Sequence, residues 1–357
     1  MTLDPVSVGA TAGTWLWDKF GSNLIEKATG AVKKAWNRRS WDEREKRYKQ
    51  RLVELHSTTK LLGNPKEINL DKIYTDVFVL DQISAFRRLR FDEKSKGLKE
   101  STGKVGEVQR FPLIDIVQAR KRIYVLGKPG AGKSTFLKIL CLLCCRGQVD
   151  RTPILIPLKQ WNDSGLDLLT YIVREFDICE FPEATAFVES LLKQGSAVLL
   201  LDGLDEVPLD RDGRQKAITT LTDFARKYAS TQIVLTCRIA ATEYSFDQFD
   251  YFEIADFTEE QQLDFIRKWY GDSRPTHELF QKQWKLAENS GLRDLARTPL
   301  LLALLCLAFD ETLAFPKRRV ELYQEATNAL LRKWDASRGI RRDHLYKSLS
   351  QDRKSVV

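Results

Sequence analysis

The sequence predicts an α/β protein in which a parallel sheet flanked by helices lies between an N-terminal helical region and a C-terminal helical subdomain. Five short apolar runs, RIYVL, PILIPL, AVLLLD, QIVLT and YFEI, occur between residues 122 and 254. Such continuous runs are typical of strands buried on both faces, as in a parallel sheet covered by helices. Helical patterns lie between them, the clearest at Lys133 to Cys145 and Arg214 to Tyr228. After Phe257 the strand pattern ends and helical periodicity continues.

Composition sets only broad limits on function. The chain has 357 residues, enough for two or three domains, and a net charge of +8. That excess fits a solvated surface, which we favour, or an anionic partner such as a nucleotide, nucleic acid or lipid head groups. The six cysteines lie mostly in apolar runs, which indicates buried thiols in a reducing compartment. The N-terminus lacks a signal-peptide pattern and the longest apolar run is too short to span a bilayer, so we expect a cytoplasmic protein.

Residues 1–66 form the predicted N-terminal helical region. Apolar side chains recur there every three or four positions, which predicts one apolar stripe. The stripe consists of Trp17, Phe20, Leu24, Ala28, Val32 and Ala35. It indicates either a helix packed on a helical neighbour, which we favour, or a membrane-surface or effector helix that docks on a partner. Residues 67–118 follow as an extended arm and linker, in which DKIYTDVFVL alternates like a strand.

A glycine-rich stretch, GKPGAGKST, follows the first apolar run and precedes a helical pattern. Glycine permits positive φ and lets a ligand approach the main chain closely. The order strand, G-x-x-x-x-G-K-S, helix is the context of a P-loop, in which backbone N–H groups and a helix N-terminus surround a phosphate. Lys133 would reach the β- and γ-phosphates and Ser134 would bind Mg²⁺. The predicted nucleotide-binding residues of this stretch are Gly127, Lys128, Pro129, Gly130, Ala131, Gly132, Lys133, Ser134 and Thr135.

Acidic residues follow another predicted strand, AVLLLD, which ends in Asp202. We expect Asp202 to bind the same Mg²⁺. Either Asp205 or Glu206 would orient or deprotonate the attacking water, and the sequence does not choose between them. The strand QIVLTCR ends in Arg238, which we expect near the γ-phosphate because ligands lie at the carboxyl ends of such strands. The chain has no N/T-K-x-D guanine-reading motif, so ATP or ADP with Mg²⁺ is the expected cofactor.

In this order, GKPGAGKST, LLLDGLDEV, VLTCR and RTPLLLALLC resemble the NACHT-domain NTPases, of the signal-transducing (STAND) branch of AAA+-like P-loop ATPases. FPKRRVELYQEATNALLRKWD resembles the helical segment that follows in many members. KLLGNPKEINLDKIYTDVFVLD is similar to the approach segment of bacterial NACHT proteins, several of which act in phage defence. The resemblance implies a P-loop NTPase core at residues 119–256 and a helical subdomain at 257–357. It also implies that Arg238 is the sensor arginine and that Pro299 contacts the base or ribose.

The resemblance implies a signalling switch that binds ATP, hydrolyses it slowly and self-associates when activated, with antiviral (anti-phage) defence as its setting. The alternative is an AAA+-like ATP-driven remodelling motor. Family members normally continue into a winged-helix domain and a sensor region, whereas this chain stops inside a helical pattern. We therefore expect a fragment whose trigger ligand binds a missing C-terminal sensor. Its N-terminal helices would bind an effector partner or a membrane.

Overall fold

The computed structural model describes residues 41–60, 67–80, 109–177, 184–208, 213–239, 246, 248–271, 273–315, 320, 321 and 324. The predicted apolar stripe before residue 36, most of the linker and the C-terminal helical pattern beyond residue 324 lie outside the described residues. Residues 41–56 are helical (α1), as the N-terminal pattern predicts.

A seven-stranded sheet forms the centre of the fold, with strand order β4-β3-β9-β5-β8-β7-β6. Strands β9, β5, β8, β7 and β6 are the five predicted runs, and they pair with one another in parallel. The predicted parallel sheet is thus confirmed. The strands are β3 (Phe78–Leu80), β4 (Arg110–Pro112), β5 (Arg122–Gly127), β6 (Thr152–Pro157), β7 (Ala197–Asp202), β8 (Gln232–Arg238) and β9 (Asp250–Ile254).

Helices cover the sheet and continue beyond it. The predicted helix Lys133–Cys145 has those bounds, and the one predicted at Arg214 spans Gly213–Lys227. The helix that follows β9 begins with a reciprocal capping box formed by Thr258 and Gln261. The further helices are α2 (Leu70–Ile73), α3 (Leu113–Ala119), α4 (Lys133–Cys145), α5 (Leu158–Ser164), α6 (Leu168–Asp177), α7 (Ala184–Gln194), α8 (Gly213–Lys227), α9 (Glu259–Tyr270), α10 (Arg274–Trp284), α11 (Ser290–Leu295) and α12 (Pro299–Thr312).

The segment expected to be an arm and linker contributes two strands to the sheet. β3 pairs antiparallel with β9, where Val79 faces Ile254, and β4 pairs antiparallel with β3. A small hairpin, β1 (Thr58–Lys60) with β2 (Glu67–Asn69), precedes them, and DKIYTDVFVL begins as the short helix α2 instead of a strand. Strands of three residues carry too little periodicity to be predicted, since strands usually have five or six.

Two apolar clusters hold the described residues together. The larger cluster surrounds the sheet, where strands β5 and β7 are buried on both faces. The second lies among α9 to α12 and includes the fully buried Phe280 and Phe309. Ile139 and Leu142 of α4 and Leu70 of α2 belong to this second cluster. The helical subdomain is therefore packed directly on the helix that follows the glycine-rich loop.

The thiols behave as the sequence predicts. Cys141, Cys144, Cys237 and Cys306 are buried, and no group of three or more metal-binding side chains occurs in the described part of the chain. Cys179 lies outside it. None of the helices that the structure describes is long and apolar enough to cross a membrane.

We expect the described residues of the predicted arm to fold and unfold together with the core of the protein. Leu113 on α3 is fully buried, whereas Gln118 on the same helix is exposed. We expect Leu113→Ala to lower the free energy of unfolding by about 2–5 kcal/mol, because it removes buried methyl groups and leaves a cavity. Gln118→Ala, the control, should change it by no more than about 0.5 kcal/mol. Equal urea-denaturation curves for the two variants would show that the arm folds apart from the sheet.

Candidate functional site

Three adjacent parallel strands end at one edge of the sheet and bring the predicted residues together. β8 pairs with β5 on one side and β7 on the other, with Gly127 opposite Arg238. The glycine-rich loop follows β5, Asp202 ends β7, and Arg238 ends β8. A ligand bound at this edge is therefore within reach of all three segments.

A cavity of about 480 Å³ opens at this edge, between the sheet and the helical subdomain. One end is polar and is lined by the loop and by Asp202, Asp205, Glu206 and Arg238. The other end is mostly apolar and is lined by Leu70, Ile73, Tyr74, Thr75, Val77, Phe257, Phe265 and Ala303. A polar cradle joined to an apolar pocket is the shape and chemistry of a small-molecule site.

The glycine-rich loop has the conformation that its glycines predict. Gly130 and Gly132 have φ of 73° and 93°, in the left-handed region that favours glycine. Gly132 begins α4 and no side chain caps the helix there. The N–H groups of the first turn lack intrahelical acceptors and lie at the cavity wall formed by Gly132, Lys133, Ser134 and Thr135. This loop and helix end form a site for an anion.

Lys133 is held inside the loop. Its Nζ donates to the carbonyl oxygens of Gly127 and Lys128, at 2.9 and 3.1 Å. Burial lowers the pKa of Lys133, and the neighbouring Asp205 carboxylate opposes that shift. An anion in the loop would be a stronger partner for this ammonium group than two neutral carbonyls.

Two predicted loop residues do not line the cavity. Gly127 is buried at the end of β5, where its carbonyl accepts from Lys133. Lys128 points to Asp256 and contacts both of its carboxylate oxygens at 2.7 Å. This ion pair ties the loop to the segment between β9 and α9, where Arg110 also donates to the Asp256 carbonyl. Lys128 thus has a partner outside the cavity in the structure.

The helical subdomain touches the loop through the first residues of α12. The Leu300 N–H donates to the Gly130 carbonyl at 3.3 Å, and Pro299 lies beside Gly132. A Cβ added to Gly130 would lie 2.3 Å from the Leu300 Cβ, so only glycine fits under this side chain. Pro299 therefore lines the cavity on the loop side, and its predicted contact with the base or ribose stays a prediction.

Asp202 is oriented by a threonine that the sequence analysis did not assign. Thr236, fully buried in β8, donates to Asp202 Oδ1 at 2.7 Å and accepts the Gly203 N–H at 2.9 Å. Gly203 itself has a φ of 77°. These bonds hold Asp202 at the end of β7 and leave its Oδ2 without a partner among the described residues. Only the position of Thr236 two residues before Arg238 could have indicated this role.

The two acidic residues after Asp202 have different surroundings. Asp205 is 10% exposed and accepts from the Arg238 main-chain N–H and from its Nε, at 3.0 and 2.9 Å. Arg214 donates to the Asp205 carbonyl at 2.7 Å. Glu206 is exposed, lines the cavity, and has no ionic or hydrogen-bonded side-chain partner in the part of the chain that the structure describes. The structure thus separates two residues that the sequence leaves equivalent.

The predicted metal ligands, Ser134 and Asp202, both line the polar end of the cavity. A hydroxyl and a carboxylate with one free oxygen are the hard oxygen donors that Mg²⁺ prefers, with waters and phosphate oxygens completing its shell. These residues therefore fit the ion, which would neutralise phosphate charge when bound.

A comparison with known protein families agrees with our interpretation of the glycine-rich loop and its flanking strands as a P-loop. Residues 121–273 match the sequence model of the NACHT domain. The matched segment is less than half of the chain. No curated protein matches. Among solved structures, AMPPCP-bound DnaA from Aquifex aeolicus is similar at 12% identity and a TM-score of 0.32, covering 65% of this chain and 90% of that one. At that score the likeness carries no argument about function.

The resemblance to the NACHT domain is confirmed over the matched segment. That segment contains the loop, Asp202, Asp205, Glu206 and Arg238, so the candidate site lies in the part of the chain that is similar to the NACHT domain. Pro299 lies outside it.

Thr236 provides a test of how the site is built. Thr236→Val keeps the shape of the side chain but leaves the Gly203 N–H unpaired and releases Asp202. We expect Mg²⁺ affinity in the presence of nucleotide to fall about 10- to 100-fold, because residues that orient a metal ligand have effects of that size.

The matched control is Thr231→Val, at the residue directly before the same strand, β8. Thr231 is also fully buried, and its hydroxyl donates to the Leu192 carbonyl, away from the cavity. Both variants should lose about 1–3 kcal/mol of unfolding free energy. Equal Mg²⁺ affinities of the two variants would contradict the role given to Thr236.

Proposed function

We propose that this chain is the nucleotide-binding part of an ATP-controlled signalling switch of the NACHT/STAND type. ATP with Mg²⁺ binds in the cavity, hydrolysis is slow, and the nucleotide controls self-association. The main support for the proposal is that both the sheet domain and the helical subdomain line the cavity. Its polar wall belongs to the sheet domain, whereas Pro299, Leu300 and Ala303 belong to the helical subdomain.

A nucleotide in such a cavity contacts both parts of the chain at once. Its triphosphate would bind the loop and Lys133, with the metal between Ser134 and Asp202. Leu300 of α12 is linked to the same loop by the hydrogen bond from its N–H to the Gly130 carbonyl. Any nucleotide-dependent change at Gly130 therefore reaches α12 directly. A ligand shifts a conformational equilibrium only by its different affinity for the two states, and contacts to both sides provide that difference.

The γ-phosphate would be sensed by Arg238. Its guanidinium is half-exposed at the cavity and pairs with Asp205. We infer that Asp205 positions Arg238 and that Glu206 is the general base that takes a proton from the attacking water. Glu206 is the carboxylate with free oxygens at the cavity, whereas those of Asp205 are engaged by Arg238. The water oxygen would form the new bond to phosphorus as the bond to the ADP oxygen breaks.

A role in antiviral (anti-phage) defence is the biological setting we propose. Its support is the resemblance of the chain's N-terminal segment to the approach segment of bacterial NACHT proteins. Self-association on activation, a trigger ligand that acts through a C-terminal sensor, and an effector partner or membrane at the N-terminal helices belong to the same proposal.

Lys133→Ala tests the nucleotide site. We expect it to abolish measurable ATP binding in calorimetric titrations, because the ammonium group that contacts the phosphates is lost. The control is Lys159→Ala, which removes an exposed lysine paired with Asp163 on α5 and should leave binding unchanged. Unchanged ATP binding by Lys133→Ala would refute the site.

ATP turnover and assembly of the unsubstituted chain distinguish a switch from a remodelling motor. A switch should turn over ATP slowly and stay unassembled without its trigger when native mass spectrometry is run with ATP. Brisk turnover together with rings formed by ATP alone would favour the motor and contradict the switch.

The assignment of Glu206 predicts a split between binding and turnover. Glu206→Gln should keep ATP affinity within about twofold and lower the hydrolysis rate about 10²- to 10⁴-fold, the usual contribution of a general base. Asp205→Asn should affect hydrolysis less, because the amide oxygen can still accept from Arg238. A larger loss of rate in Asp205→Asn, at equal ATP affinity, would exchange the two roles.

A further inference from the structure

Arg214, in the first turn of α8, is bonded to the acidic turn that follows β7, residues 203–207. Its Nη2 donates to the Asp205 carbonyl at 2.7 Å, and its Nε donates to the Val207 carbonyl at 3.1 Å. These two carbonyls belong to the residues on either side of Glu206. Because the guanidinium is planar and its donors have a fixed spacing, one side chain holds the main chain both before and after Glu206.

Arg214 is itself held in place by the start of α8. Its main-chain N–H donates to the Pro208 carbonyl at 3.0 Å, so the side chain and the main chain of one residue both bond the segment that leaves the acidic turn. The helix is fixed to the core by buried side chains such as Ala217 and Leu221. The Arg214 side chain is half-buried and does not line the cavity. Its contacts are therefore with the acidic turn and not with the ligand space.

The Glu206 side chain depends on the main chain of the turn for its position. A Cβ added to Gly203 would lie 3.1 Å from Glu206 Cδ and 3.4 Å from its Oε2, so this side chain folds over the glycine. The Glu206 N–H donates to the Gly203 carbonyl at 3.0 Å. Among the described residues no side chain bonds the Glu206 carboxylate, which lines the cavity. Any rotation of the turn would therefore move the carboxylate.

The two sides of Glu206 are held in different ways. Arg238 holds Asp205 through its carboxylate, at 2.9 and 3.0 Å. At Val207, the side-chain donor to the main chain is Arg214. Leu204 and Val207 bury their own side chains in the core, so the turn stays attached when Arg214 is replaced. What Arg214 adds is the orientation of the main chain between them.

We propose that Arg214 is a positioning residue for ATP hydrolysis, which keeps the Glu206 carboxylate within reach of the attacking water. This inference rests on the proposed function, in which Glu206 is the general base. A general base must lie within hydrogen-bond distance of the proton that it takes. A displacement of about 1 Å can cost on the order of 10²-fold in rate, although the residue responsible contacts no reacting atom.

Arg214→Met tests this role, because it removes both donors and keeps an unbranched apolar side chain. We expect the hydrolysis rate to fall about 10- to 100-fold while ATP affinity in calorimetric titrations stays within about twofold, since the loop and Lys133 are untouched. Arg214→Lys should recover part of the rate, because it keeps a cationic donor but lacks the fork. It also serves as the test variant if Arg214→Met does not fold.

The matched control is Arg226→Met on the same helix. Arg226 is exposed and lies 3.8 Å from Asp223, away from the acidic turn. It should hydrolyse and bind ATP as the wild-type chain does. An Arg214→Met variant that hydrolyses ATP as fast as this control would overturn the proposal.

A double variant distinguishes positioning of Glu206 from a general effect on the fold. If Arg214 acts through Glu206, adding Arg214→Met to Glu206→Gln should slow hydrolysis by no more than about twofold beyond Glu206→Gln alone. A further loss as large as that seen in the wild-type background would overturn the proposal, because Arg214 would then act independently of Glu206.

Glu206→Gln alone separates the failure of this inference from that of the proposed function. If it hydrolyses ATP at the wild-type rate, the assignment of the general base is wrong and the role of Arg214 fails with it. If Glu206→Gln is slow and Arg214→Met is not, only this inference fails. A wild-type chain that does not bind ATP would end the proposed function as well.

Discussion

The pairing of β8 between β5 and β7 is the constraint on which the site depends. Because the three strands are parallel and adjacent, the loop after Gly127, the carboxylate of Asp202 and the guanidinium of Arg238 come to one edge. Thr236 converts that proximity into a fixed geometry, since its hydroxyl joins β8 to both Asp202 and Gly203. Parallel strands buried on both faces tolerate little displacement, so the relative positions of these groups are set by the core of the protein.

The helical subdomain forms the part of the cavity lining that the sheet and its loops do not provide. Leu300 rests on Gly130 without room for a Cβ, and α4 packs its outer face into the apolar cluster of the subdomain. Polar side chains of α9 also bind the segment around Thr75, which lines the same cavity. The cavity is therefore formed by three separate parts of the chain. A ligand that fills it contacts each of them, which is the physical basis for coupling its chemical state to their arrangement.

Local patterns made the central features predictable from the sequence. The loop, its helix and the cap at Thr258 depend on residues within a few positions of one another, and the five core strands are continuous apolar runs. The remaining features depend on contacts between distant residues. β3 pairs with β9 across more than 170 positions, and its three residues show little pattern. Thr236 and Leu300 look like ordinary strand and helix residues until the fold places them beside Asp202 and Gly130. The unequal surroundings of Asp205 and Glu206 likewise arise from Arg238 and Arg214, which the spacing of the acidic residues does not reveal.

The most direct test of the central claim is a crystal structure with Mg²⁺ and a non-hydrolysable ATP analogue. The account predicts that the phosphates lie in the loop between Gly127 and Thr135, with the metal between Ser134 and Asp202. It also predicts that Lys133 Nζ leaves the carbonyls of Gly127 and Lys128 for phosphate oxygens. A nucleotide bound elsewhere, or a Lys133 that keeps both carbonyls while the analogue is bound, would contradict it.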